Sequence, residues 1–143
     1  MVRSPLRFLG GKSRAISQIL PLVPDYEEYR EPMVDGGSVF LALRQRFPNR
    51  RYWSNDLNYD LYCFWKVAQK CTDKLADALH RLRAETQDGK SLFSQLLDRY
   101  GQGDKFERAV RFFALNRMTF SGPVDSGGYS EQAFRGAFHS NSD

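Results

Sequence analysis

The sequence predicts an α/β protein in which the amino-terminal part builds a piece of parallel sheet and the remainder is mostly helical. Two observations predict it. A strand, a glycine turn, a helix and a second strand follow one another between residues 29 and 56, the order of a β-α-β unit. From residue 61 onward, apolar residues recur at helical spacing with no strand pattern beside them.

Ile16, Ile19 and Leu20 recur at helical spacing over residues 13–22 before Pro21 and Pro24 interrupt them, which predicts a short first helix. Residues 29–34 read as a strand leading into Asp35-Gly36-Gly37-Ser38. Val39, Phe40, Leu43 and Phe47 then trace one side of a helix that Pro48 ends. Residues 51–54 form a second short strand closing at Asn55-Asp56. Leu61, Phe64, Ala68, Cys71, Leu75, Leu79 and Leu82 form one long helical stripe. Leu92, Phe93, Leu96 and Leu97 mark another helix. After the Gly101-Gln102-Gly103 turn, Phe106, Ala109, Val110 and Phe113 mark a third, running towards Asn116. These stripes face a core. Residues 120–129, rich in Gly, Ser and Pro, read as a loop or hairpin, and residues 138–143 carry no element signal. On this reading residues 1–66 belong to the sheet-bearing part and residues 67–143 to the helical part.

The chain is long enough for one domain with a real core, and its 41% apolar and 14% aromatic residues exclude a disordered composition. A net charge of +4 and a pI near 9.2 suit a polyanionic partner, but they fit an ordinary soluble protein as well. Arginines cluster at residues 44–51, at Arg81 and Arg83, and at residues 108–117; solvated helix faces account for such a spread. Cys63 and Cys71, eight apart, suit two thiols on one side of a helix rather than a disulfide. No cysteine neighbours His80 or His139, so there is no zinc pattern. These features, with no signal-peptide start and no apolar stretch of membrane-spanning length, predict a cytoplasmic protein that does not engage a membrane.

Gly10-Gly11-Lys12-Ser13 invites comparison with a phosphate-binding loop. That pattern needs a further glycine where Leu6 stands and a buried strand ahead of it, for which there is no room, so a structural turn before a helix is the better reading. Glu31-Pro32-Met33-Val34-Asp35-Gly36-Gly37-Ser38 lies at the carboxyl end of the first strand, where open α/β sheets place ligands. Small residues there let backbone approach a ligand, and the following helix offers its unpaired N–H groups. Asp56 ends the second strand at the spacing that puts an acid on ribose hydroxyls; an N-cap for the next helix is an equally good reading of it.

Taken in order, Phe8-Leu9-Gly10-Gly11-Lys12, Glu31-Pro32-Met33-Val34-Asp35-Gly36-Gly37-Ser38-Val39-Phe40, Asn55-Asp56 and Phe113-Ala114-Leu115-Asn116-Arg117 resemble the Dam-type (D12 class) DNA adenine N6-methyltransferases. The resemblance covers nearly the whole chain. It implies part of a Rossmann-like S-adenosylmethionine-dependent methyltransferase sheet with an appended, mostly helical target-recognition region. It also implies that Phe8, Gly10, Gly11, Lys12, Glu31, Pro32, Met33, Gly36, Gly37 and Ser38 surround the methionine part of S-adenosyl-L-methionine, and that Asp56 holds the ribose hydroxyls. Asn116, Arg117, Thr119 and Ser121 would face double-stranded DNA, where an arginine neutralises a phosphate or reads a guanine edge. Two residues depart from the pattern. Met33 stands where phenylalanine is usual, and Asp35 stands where glycine is common, adding a negative charge beside the cofactor's carboxylate.

Methyl transfer to the adenine amine needs a flipped base, an aromatic face against it, and acceptors that hold the amine. The family supplies these with Asp-Pro-Pro-Tyr, and this sequence contains no Pro-Pro pair. The isolated chain is therefore expected to be inactive, and the unpaired edge of its partial sheet to invite a complementing polypeptide or self-association. The competing expectation is a non-catalytic DNA-binding or regulatory module derived from a methyltransferase.

Overall fold

The protein is described by a computed structural model in which residues 2–120, 124 and 126–138 are described. Contacts divide the chain into two units, Met1–Leu57 and Asn58–Asp143. The sequence pattern sets its boundary at 66/67, inside what is one continuous helix in the structure.

In the first unit, a 3-10 turn (Lys12–Arg14), helix α1 (Ile16–Ile19) and a second 3-10 turn (Leu20–Leu22) replace the single predicted helix. Pro21 lies in the second turn, where its missing N–H rules out a continued α-helical ladder. Strand β1 (Glu28–Glu31), helix α2 (Ser38–Arg46) and strand β2 (Arg51–Ser54) complete the β-α-β unit. The strands pair in parallel, Glu28 with Arg51 through Glu31 with Ser54. β1 stops before Pro32, which has no N–H for a ladder, rather than continuing to Val34. Pairing resumes for one bond, Val34 N–H to Asn55 O at 2.9 Å. The core of this unit is Ile16, Val39, Ala42 and Leu43, with Ile19, Leu20, Val23, Tyr26, Tyr29 and Tyr52 packed against it. Tyr52 ties sheet to helix: its hydroxyl lies 2.9 Å from that of Tyr26, 2.8 Å from the Leu43 carbonyl and 3.0 Å from that of Phe47.

The second unit is helical: α3 (Tyr59–Lys70), α4 (Thr72–Glu85), α5 (Gly89–Asp98), α6 (Lys105–Met118) and the short α7 (Glu131–Ala133), which runs on into a wider helical turn (Phe134–Phe138). The long predicted stripe is thus two helices, broken at Cys71, whose φ of −139° leaves the helical region. α6 is central, with Ala109, Phe112, Ala114, Leu115 and Met118 buried. Phe113 stacks on Phe64 of α3 with ring centroids 5.5 Å apart. Asp104 and Glu107 form a reciprocal capping box at its start. Arg108 joins the turn before α6 to α3. Its Nε donates to the Gly103 carbonyl at 3.0 Å, and its guanidinium lies 3.5 Å from the buried carboxylate of Asp60, whose pKa burial raises against the pull of Arg108. Cys63 and Cys71 are both free thiols. Among the described residues, no helix is long and apolar enough to cross a membrane and no cluster of side chains could hold a metal ion.

Candidate cofactor hollow and DNA-facing helix end

At the carboxyl end of β1 the chain makes two left-handed steps, Asp35 (φ 46°) and Gly37 (φ 65°), before entering α2. The Gly37 N–H closes the turn on the Val34 carbonyl at 2.7 Å, and no side chain caps the start of α2. The turn faces the Phe8–Lys12 segment, which is itself folded back by a Gly11 N–H to Phe8 O bond of 3.1 Å. Together they line one hollow: Phe8, Leu9, Gly10, Gly11 and Lys12 on one side, Glu31 and residues 34–39 on the other. Phe8 lies across Gly36 so closely that a β-carbon there would sit 3.5 Å from its ring.

The hollow holds groups of both signs. One oxygen of Glu31, Oε2, is buried without a hydrogen-bond partner among the described residues. Burial raises the pKa of that carboxyl, while the Tyr29 hydroxyl, the Lys12 ammonium and the Phe40 N–H pull it back. Lys12 and the uncapped start of α2 bring positive potential to the same space. An ammonium would find an acceptor there and a carboxylate would find donors.

Asp56 is joined to the rim of this hollow, since its Oδ2 accepts the Asp35 N–H at 3.1 Å. The N-cap of α3 is Asn58, whose side chain accepts from the Asp60 and Leu61 amides, so Asp56 does not cap that helix. Of the residues expected around the methionine part, Phe8, Gly10, Gly11, Lys12, Glu31, Gly36, Gly37 and Ser38 line the hollow. Pro32 and Met33 do not, and Met33 is 65% exposed. Leu9, Val34, Asp35 and Val39 line it in addition; all four lie inside the motifs, and for Val34, Asp35 and Val39 the strand-to-helix register is the signal available.

At the end of α6, Asn116 and Thr119 are fully buried, and the Thr119 hydroxyl donates to the Asn116 carbonyl at 3.2 Å. Arg117 is half-buried, its guanidinium 5.9 Å from the centre of the Phe113 ring. Thr119 pairs antiparallel with Tyr129 in an isolated bridge. Ser121 lies outside the described residues.

A parallel strand pair, a glycine-turn hollow and a following acid thus lie together in the first unit, and comparison with known proteins gives the class. Residues 8–142 match the model of the D12 class N6 adenine-specific DNA methyltransferases, and the chain belongs to that family. It is 28% identical over 136 residues to the Type II methyltransferase M.MjaIII of Methanocaldococcus jannaschii, covering 85% of this chain and 47% of that protein. It is 31% identical over 121 residues to the DNA adenine methylase of Escherichia coli K12, covering 84% and 42%. With the DNA N-6-adenine-methyltransferase of Escherichia phage P1 it shares 32% identity over 125 residues, covering 84% and 16%. The chain thus spans less than half the length of these relatives.

Proposed function

We propose that this chain is the cofactor-binding and target-recognition part of an adenine-specific DNA methyltransferase, and that alone it binds its ligands without transferring a methyl group. The observation that carries the reading is the pairing of an orphaned Glu31 oxygen with Lys12 in one glycine-walled hollow whose rim holds Asp56. Glu31 accepts the cofactor's ammonium; Lys12 and the first amides of α2 take its carboxylate; Phe8 covers the chain between them. Asp56, already oriented by the Asp35 N–H, accepts from the ribose hydroxyls. When bound, S-adenosylmethionine supplies an activated methyl group on sulfur. This chain's residues orient that group and shield it from water, but none belongs to an Asp-Pro-Pro-Tyr sequence that would hold the adenine amine.

On the DNA side, Arg117 is the contact residue of the α6 end, while buried Asn116 and Thr119 fix its backbone and the bridge from Thr119 to Tyr129. Double-stranded DNA is the partner. Titration calorimetry with S-adenosylmethionine, and with an adenine-containing duplex at two salt concentrations, tests this reading. Binding of both ligands without transfer of tritium from labelled cofactor supports it. Turnover by the isolated chain, or no cofactor binding, contradicts it. DNA binding alone favours the non-catalytic module.

A further inference from the structure

Residues two apart on a strand share a face, so Tyr29 and Glu31 of β1 turn their side chains to the same side of the sheet, the side that α2 covers. The Tyr29 ring is held firmly there. It packs on the core of Ile16, Val39, Ala42 and Leu43, with the centroid of the Tyr26 ring at 5.9 Å and that of the Tyr52 ring at 6.2 Å. Those two rings are themselves joined, hydroxyl to hydroxyl, at 2.9 Å, and the Tyr52 hydroxyl is tied to the Leu43 carbonyl of α2 at 2.8 Å. From this frame the Tyr29 hydroxyl donates to the Glu31 carboxylate. Burial and the neighbouring carboxylate push the phenol up to about 12, so it stays protonated, and a donor, through the neutral range. The N–H of Phe40, in the first turn of α2, donates to the same carboxylate. Glu31 Oε2 is nevertheless buried with no partner among the described residues. Phenylalanine would fill the space of the Tyr29 ring equally well; what tyrosine adds is the bond to Glu31.

We propose that Tyr29 is a positioning residue of the cofactor site: its hydroxyl, braced by Tyr26 and Tyr52, fixes the Glu31 carboxylate so that Oε2 is presented to the ammonium of the ligand. The inference rests on the reading of the hollow as the site for S-adenosylmethionine. Tyr29 does not line the hollow, so it acts through Glu31. Two donors, one from the strand and one from the helix, set the plane of the carboxylate and leave one oxygen for the ligand. Without the hydroxyl, the Lys12 ammonium and the Phe40 N–H remain to favour the charged form, against burial and the nearby charge of Asp35. The balance then tilts towards the protonated carboxyl, which is a poorer acceptor for a cation.

Y29F removes the hydroxyl and keeps the ring, and two readouts follow it. In the free chain, the Glu31 carboxyl carbon is titrated by NMR, and its midpoint in Y29F is expected at least about 0.5 higher in pH than in wild type, the scale of one lost hydrogen bond. By calorimetry, affinity for S-adenosylmethionine at pH 7 is expected to fall about fivefold, and the acid limb of its pH profile to move upward with the Glu31 midpoint. Y52F is the control, because it takes a hydroxyl from the same frame but none from Glu31. It should lower the melting temperature and leave the Glu31 midpoint in place. An unchanged midpoint in Y29F, or one that Y52F moves as far, overturns the inference. A moved midpoint with cofactor affinity within twofold of wild type overturns the positioning role and leaves the cofactor site standing. Wild-type chain that binds no S-adenosylmethionine overturns the reading of the site, and the inference with it.

Discussion

Replacing Asp56 separates its two roles, holding the Asp35 N–H and holding ribose hydroxyls. In the structure its Oδ2 accepts one backbone N–H at 3.1 Å on an exposed turn. In D56N an amide oxygen still serves that N–H, so the fold is expected to keep its stability. In D56A water replaces it, at a cost below about 1 kcal/mol. Cofactor affinity responds differently. Hydrogen bonds to a charged acceptor are worth about 1.5–3 kcal/mol and neutral ones about 0.5–1.5 kcal/mol. Asp56 is half-buried, so the lower ends apply. For one or two ribose hydroxyls D56N then loses about 1–2 kcal/mol, about 5–30-fold in Kd, and D56A loses about 1.5–3 kcal/mol, from about tenfold upward. Calorimetry with S-adenosylmethionine, paired with thermal melts of each variant, measures both roles. If D56A binds cofactor within twofold of wild type while remaining folded, Asp56 does not hold the ribose and the reasoning fails.

E31Q is expected to trade stability against binding. The folded-state pKa of Glu31 is raised by burial, so its carboxyl favours folding most below its unfolded pKa, and that advantage is lost as pH rises through the raised value. The melting temperature of E31Q should therefore gain on wild type as pH rises from about 4 to 8, while cofactor affinity at neutral pH falls about tenfold; pH-independent parity of the melts would contradict the burial argument. G36A places a β-carbon 3.5 Å from Phe8 and Ser4, an ordinary contact, so stability should change by less than about 0.5 kcal/mol while the added methyl lowers cofactor affinity about tenfold. A melt displaced by many degrees would mean that the glycine serves the fold instead. R117A should reduce the slope of log K against log salt for duplex binding by about 0.9, the signature of one lost phosphate contact, and an unchanged slope would remove Arg117 from the DNA surface.

Much of the hollow was legible because its parts are adjacent in sequence. A strand, two small residues and a helix start can only fold into a turn whose amides face the strand's end, and Glu31 and Gly36 sit on it by position alone. The sequence leaves the role of Asp56 open between ribose and N-cap, because both readings want a carboxylate after a strand. The tertiary bond from Asp35, and Asn58 as the actual cap, remove the second reading. At the helix end the pattern was less informative. Asn116 and Thr119 are polar, and polarity suggests exposure, yet α6 is enclosed on most sides, burying Arg111 and Asn116 along with its apolar residues. The break at Cys71 was hidden for a related reason. α3 and α4 each keep apolar residues facing inward, so the stripe continues across a kink that only the backbone angle reveals. The capping box Asp104–Glu107, which the reading of apolar spacing passes over, marks the start of α6.

The claim that Phe8–Lys12, the Glu31–Ser38 turn and Asp56 form one cofactor site is tested most directly by an amide chemical-shift titration of the chain with S-adenosylmethionine. The account predicts saturable shifts at Gly10, Gly11, Lys12, Gly36, Gly37, Ser38 and Asp56, with the amides of α4 and α5 unmoved. Shifts confined to the helical unit, or none at saturating cofactor, would contradict it.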